Sequence, residues 1–326
     1  MTATTRARAN PPRVLIARPM PAAVRARAEE LFDVEWRDSN APMSDAEMRS
    51  ALALYDGIMP TLGDRFSAEI FAEFGRPRCR ILANFGVGYN HIDVEAARGH
   101  GVTVTNTPGA VTDATADVAM TLMLMSARRA GEGERLVRAG LWTGWHPTQM
   151  LGLHVSGKTV GIIGMGRIGQ AIARRCHYGF GMNVLYANRS AKTVDFPAQQ
   201  LPLHELAAQA DVVIVAVPGG PDTHHMIGAD VFGAMQPHAH FINIARGDVV
   251  DEAALIVALQ QGQIAGAGLD VYEFEPKVPE ALRQLENVTL LPHLGTAAEE
   301  VRSDMGLMAL NNLQAFFAGE TPANAV

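Results

Sequence analysis

Three stretches in the second half of the chain carry residue types that could do chemistry together. They are INIARGDVVDE with Arg246, GLDVYEFEP with Glu275, and LLPHLGTA with His293. Each stretch follows or ends an apolar run that reads as a strand, and ligand sites in open parallel sheets gather beyond the carboxyl ends of strands. An arginine, a carboxylate and a histidine so placed suit acid–base chemistry on a substrate that itself bears a carboxylate. Glu273 lies two residues before Glu275, and the residues alone leave the choice between them open.

A second constellation lies upstream, in TVGIIGMGRIGQAIARR, where Gly164, Gly166 and Gly169 have the G-x-G-x-x-G spacing. The pattern is short and weak by itself, but here it follows an apolar strand and opens a helix patterned Ile168, Ala171, Ile172. Gly164 permits the tight turn, Gly166 lets a pyrophosphate approach the backbone, and Gly169 allows helix and sheet to pack closely. The helix start offers N–H donors and partial positive charge to phosphates, and Arg167 adds its own. The next strand ends in VLYANRS, where an acid would accept hydrogen bonds from the ribose of NAD. Asn188 stands there instead, followed by Arg189 and Ser190. With the acid gone, a 2′-phosphate is not repelled, and a guanidinium can bind it through charge-assisted bonds. The trio predicts NADP(H) in preference to NAD(H).

These sites need elements to hold them. Short β-branched runs alternate with helical stretches almost throughout, so the fold class is α/β with parallel sheets. The first series holds VLIA, DGIMP, ILANF and VTVTN; the second runs from KTVGIIG through VLYA, DVVIVAV, HFINIA and AGAGLDV to VTLLP. Pro108 and Gly109 break the chain between them, and Asp113 or Thr115 can open the helix that follows. A long helical segment near the end is expected to return to the first series. This divides the chain into a substrate-binding domain (1–106 and 298–326) and a dinucleotide-binding domain (107–297).

A net charge of −7 argues against nucleic acid or an anionic membrane as the main partner. No stretch reaches the length of a membrane span. The opening MTATTRARAN lacks a secretory core and reads as a frayed tail. Cys79 and Cys176 are the two cysteines, and their use fits a cytoplasmic location. No His/Cys/Asp set has metal-ligand spacing, so no metal is expected.

The glycine motif, NIARGDVVDEAAL, GAGLDVYEFEP and LPHLGTA together resemble the D-isomer-specific 2-hydroxyacid dehydrogenases over nearly the whole chain. WTGWHP, ANRS and NNLQAFFAGETP look most like the glyoxylate/hydroxypyruvate reductases of that family. The resemblance implies a Rossmann-type cofactor domain and a smaller flavodoxin-like substrate domain, discontinuous in sequence. It implies NADPH-dependent reduction of small 2-oxo acids, glyoxylate and hydroxypyruvate, to the D-2-hydroxy acids. It gives the catalytic roles to Arg246, Glu275 and His293, with Arg246 and His293 also touching substrate. The backbone of Val87 and Gly88, in FGVGYNHID, would bind the substrate carboxylate. Thr115, Val217, Pro218, Thr223, Ile244, Asp270 and Gly295 fall where the family meets its cofactor. Thr61 and Leu62 would line the far side of the substrate. The resemblance also implies a homodimer, with Trp142 or, more in keeping with it, Trp145 reaching the neighbouring active site. An NAD-using relative of phosphoglycerate dehydrogenase and a non-enzymatic, cofactor-sensing corepressor scaffold are the alternative readings.

Overall fold

The computed structural model describes residues 11–326, so the reading of the first ten as a frayed tail lies outside the described residues. The chain forms two compact units: residues up to Val111 with Ala298–Val326, and Thr112–Ala297.

The first unit holds a parallel sheet of β1 (Arg13–Ile16), β2 (Asp33–Trp36), β3 (Gly57–Met59), β4 (Ile81–Ala83) and β5 (Thr103–Thr105). Their order, β2-β1-β3-β4-β5, is the flavodoxin-like winding. Side chains alternate across it. Val14 and Ile16 pack with Val24, Leu310 and Leu313, whereas Leu15 and Ala17 pack with Met48 and Leu52. Both faces are covered around β1, β3 and β4, and that is why these inner strands read as nearly unbroken apolar runs. The late helix Glu299–Phe317 joins this unit against the helix Ala22–Leu31. Gly306 makes the approach possible, because a Cβ there would stand 2.5 Å from a Val24 methyl.

The second unit holds β6 (Thr159–Ile163), β7 (Asn183–Ala187), β8 (Ala198–Gln200), β9 (Val212–Val215), β10 (His240–Asn243), β11 (Gly266–Leu269) and β12 (Val288–Leu290). All are parallel, in the order β12-β11-β10-β9-β6-β7-β8. The winding reverses between β6 and β9, and the glycine turn follows β6 there. This is the Rossmann arrangement, whose ligands sit at the reversal. The helix Thr112–Ala127 opens at Thr112, just ahead of the expected Asp113 or Thr115, and buries Met120 and Met123 as core.

His240 is the first residue of β10 and is buried. Its Nδ1 pairs with the Ser126 hydroxyl at 2.8 Å. It lines a cavity of about 550 Å³ around the starts of β10–β12, with His238, Arg129, Glu132 and Glu286 also facing in; none of the expected catalytic residues is there. Burial, aided by the charge of His238, lowers the His240 pKa to about 4. A histidine kept neutral by the fold contributes stability that is complete above its unfolded value near 6.5 and lost as pH falls towards 4. The loss is about 3 kcal/mol at most, given ~1.4 kcal/mol per pKa unit. His240→Asn is therefore expected to flatten the fall in thermal midpoint between pH 6.5 and 4; a slope equal to that of the wild type would refute the assignment.

Candidate active site

The turn after β6 is shaped by backbone demands that only glycine meets. Gly164 has φ of 98°, and a Cβ on it would lie 2.8 Å from the Ala216 carbonyl group. A Cβ on Gly169 would lie 2.0 Å from the Gly164 oxygen, so the helix Arg167–Phe180 could not close on the turn. Gly166 differs: a Cβ there meets nothing within 4 Å. It caps the helix without any side-chain bond, so the space and the N–H donors that a pyrophosphate needs lie together. Arg167 is exposed beside it and Ile168 is half-buried.

Asn188 does not project from the end of β7. Its Oδ1 accepts from Met165 N at 3.2 Å and its Nδ2 donates to Ser190 O at 2.8 Å, so the carboxamide staples the glycine turn to the NRS turn. Arg189 and Ser190 are exposed, and Arg189 makes no hydrogen bond or ion pair among the described residues. Next to β9, Val217 is half-buried and Pro218 exposed, and the Thr223 hydroxyl closes that segment on Pro218 O at 2.8 Å. These features fit a dinucleotide: a glycine turn with open space, an uncapped helix start, and an unengaged cation in the turn after β7.

The acid–base residues gather at the ends of β10, β11 and β12. His293 Nδ1 lies 2.8 Å from Glu275 Oε2, and the other carboxylate oxygen of Glu275 accepts from Tyr272 N at 3.0 Å. Glu273, the other acid of that stretch, pairs instead with His225. Burial opposes ionisation of Glu275. The hydrogen bond and charge of His293, the Tyr272 N–H and the charge of Arg246 outweigh it, so its pKa lies below the ordinary carboxylate value. Burial pulls the Arg246 guanidinium down from its usual value, opposed by Glu275 and Asp248. An arginine so placed remains a cation.

His293 sits on a loop held by Asp270. The Asp270 carboxylate, 1% exposed, accepts from Leu294 N at 2.6 Å and Gly295 N at 2.8 Å, while its main-chain oxygen accepts from His293 N. Burial raises the Asp270 pKa, opposed by Leu294 N–H, the charge of His293 and Gly295 N–H. The Thr115 hydroxyl donates to Gly295 O at 3.2 Å from below. So Thr115, Asp270 and Gly295, read from the resemblance as cofactor contacts, form a bracket that fixes the imidazole. Ile244 is buried just after β10.

Val87 and Gly88 belong to the first unit. There Asn84 Nδ2 donates to the carbonyls of Gly86 and Gly88, and Asn106 Nδ2 donates to that of Val87. The carbonyls of three successive residues are thus held by side-chain amides. Thr61 lies in the same unit on a loop whose N–H donates to the buried Asp64, itself paired with Arg18.

Residues 120–295 match the family of D-isomer-specific 2-hydroxyacid dehydrogenases, NAD-binding domain. The glyoxylate reductase of Thermococcus onnurineus is 44% identical over 323 residues, covering 97% of this chain and 96% of that protein. The chain belongs to the D-isomer-specific 2-hydroxyacid dehydrogenases. It is therefore an NAD(P)-dependent oxidoreductase that interconverts 2-oxo and 2-hydroxy acids. Among solved structures, this dehydrogenase is similar to the NADPH-dependent glyoxylate/hydroxypyruvate reductase of Sinorhizobium meliloti, crystallised with NADP and malonate. Identity there is 37%, the TM-score 0.86, and coverage 97% of this chain and 96% of that one. It is also similar to the D-mandelate dehydrogenase of Rhodotorula graminis, at 28% identity, TM-score 0.83 and 98% coverage of both chains.

In this dehydrogenase the supporting residues were the ones sequence reasoning missed. Asn84 and Asn106 had no motif to mark them. Asp270, expected as a cofactor contact, has this supporting part as well, and a lone acid directly after an apolar strand was a signal that something had to satisfy it.

Proposed function

We propose that the enzyme reduces glyoxylate and hydroxypyruvate with NADPH, giving the D-configured product where the new carbon is chiral. The observation that carries this reading is the 2.8 Å pair of His293 and Glu275 at the sheet ends, with the Arg246 charge acting on it. When bound, a reduced nicotinamide would supply the hydride for the 2-oxo carbon. Gly164, Gly166, Gly169, Arg167, Val217, Pro218 and Thr223 hold the cofactor. Arg246 binds the substrate and draws charge onto the ketone oxygen. His293, oriented by Glu275, protonates that oxygen, and Val87 and Gly88 N–H groups bind the carboxylate.

Arg189, with Ser190, selects NADPH. A guanidinium–phosphate hydrogen bond contributes about 1.5–3 kcal/mol net, or roughly 10- to 100-fold in binding. Oxidation of NADPH and of NADH should be followed with glyoxylate, hydroxypyruvate and larger 2-oxo acids. Arg189→Ala is expected to raise KM for NADPH by that factor and to leave NADH nearly unchanged; equal effects would overturn the cofactor assignment. Turnover with none of these acids would overturn the substrate assignment.

The same reading makes the enzyme a cytoplasmic homodimer. Its support is the exposed apolar arm after the helix Ala130–Arg138, with Trp142 52% and Trp145 79% exposed alongside Leu141 and Leu151. Patches of this kind mark protein contacts. Sedimentation is expected to give a dimer that Leu141→Ser with Trp145→Ala weakens; a wild-type monomer at micromolar concentration would sink it.

A further inference from the structure

Beside the acid–base set lies a second group of chemically able side chains. His224, His225 and Glu273 each offer a donor atom, and these atoms lie within 4.8 Å of one another. His225 Nε2 is 2.9 Å from Glu273 Oε1, and the two imidazole rings stack with centroids 4.0 Å apart. Side chains of adjacent residues in extended chain point to opposite sides. Here His225 adopts φ of 49°, a left-handed conformation that costs a non-glycine residue free energy, and the two rings share one side.

The scaffold around the three groups is fixed from both directions. His225 N donates to Asp248 O at 2.8 Å and Ile227 N to Val249 O at 3.1 Å. Glu273 is largely buried, with its side chain 14% exposed, and its backbone packs directly against Gly247. Both histidines are exposed, so the group is open to solvent on the imidazole side. A strained backbone, two accessible imidazoles and one anchored carboxylate are what a small chelate needs.

We propose that His224, His225 and Glu273 form a binding site for a divalent transition-metal ion of the zinc class, with water completing its shell. Two imidazoles and a carboxylate suit zinc, nickel or copper rather than magnesium or calcium, which prefer oxygen ligands alone. Bonds of about 2.0–2.1 Å put tetrahedral ligands a little over 3 Å apart. The His225–Glu273 pair opens by a few tenths of an ångström, the proton it shares leaves, and the stacked rings splay. The ion then ties the segment carrying Val217, Pro218 and Thr223 to the segment carrying Glu275. Sequence spacing gave no sign of the site and led to the expectation of no metal, because Glu273 comes from a different strand end.

The test is direct binding. Protein stripped with a chelator, then freed of it, is titrated with zinc against a chromogenic zinc chelator. One equivalent should bind, and His224→Ala, His225→Asn and Glu273→Gln should each weaken uptake by about tenfold or more. His225→Asn tolerates the left-handed backbone, and Glu273→Gln keeps a hydrogen-bonding group of the same shape. His204→Ala, which removes another exposed imidazole–carboxylate pair (His204 with Asp230, 2.9 Å), should leave uptake unchanged. Zinc should raise the thermal midpoint of the wild type and not that of Glu273→Gln. Failure of the wild type to bind, or equal binding by wild type and the three variants, overturns the site.

Discussion

Replacement of His293 by alanine is expected to lower kcat by about 10²–10⁴, the range for a lost general acid, equivalent to ~3–5 kcal/mol of barrier. The argument begins with how the ring is held. Glu275 occupies Nδ1 at 2.8 Å, which leaves Nε2 as the ring nitrogen that could donate a proton. Asp270 and Thr115 fix the loop on which the ring stands, so the imidazole is presented by a bracket rather than by its own packing. Removing it should therefore cost chemistry far more than folding. One complication comes from the backbone: His293 has φ of 55°, which alanine tolerates poorly. His293→Asn answers it, because asparagine accepts this conformation and can form hydrogen bonds but cannot donate a proton as an acid does. Both variants should keep a thermal midpoint near that of the wild type and KM for the cofactor within a few-fold. Turnover of His293→Asn within tenfold of the wild type would remove His293 from the role of proton donor.

The inner strands were legible because burial on both faces writes itself as an apolar run; β6, β9 and β10 lie where the sequence put them. Two of the four edge strands were not. β2 is DVEW and β8 is AQQ, each at a sheet edge with one face in water, so neither forms a run that stands out from loop. The site divides in the same way. Arg246, Glu275 and His293 carried a signal in their chemical types and in their place after strands. The choice of Glu275 over Glu273 did not, since both follow β11 closely and only the fold turns one to His293 and the other to His225. Asn188 shows a further limit. Its identity told of a missing acid, but its side chain is spent on Met165 and Ser190, which leaves Arg189 and Ser190 as the exposed members of the trio. Supporting residues act through backbone groups, and a backbone partner leaves no trace in composition or spacing.

Gly247 gives the second large effect, and it is one that no catalytic motif would suggest. A Cβ at this position would stand 1.8 Å from the Tyr272 carbonyl carbon, 2.0 Å from its oxygen and 2.2 Å from Glu273 N. All three are backbone atoms of one peptide plane, so no rotamer change can relieve the clash. That plane must move by more than an ångström to reach ordinary contact. Tyr272 N donates to Glu275, and the Tyr272 hydroxyl donates to Leu291 O at 2.9 Å, two residues before His293. Displacement of the plane therefore reaches both members of the proton-transfer pair, while Arg246 is the residue next to the substitution. Gly247→Ala is expected to lower the thermal midpoint by several degrees, as overpacking by ~1–3 kcal/mol does, and to cut kcat by roughly tenfold or more. Gly219→Ala separates the two consequences. Its Cβ would meet Arg246 Cγ at 2.8 Å and Arg246 Cβ at 3.3 Å, so the root of that side chain must shift and carry the guanidinium with it, while no peptide plane is struck. That variant should lose turnover with a smaller fall in midpoint than Gly247→Ala. Wild-type stability and turnover in Gly247→Ala would show that the Tyr272–Glu273 peptide is free to move, and that the precision of the His293–Glu275 pair does not depend on it.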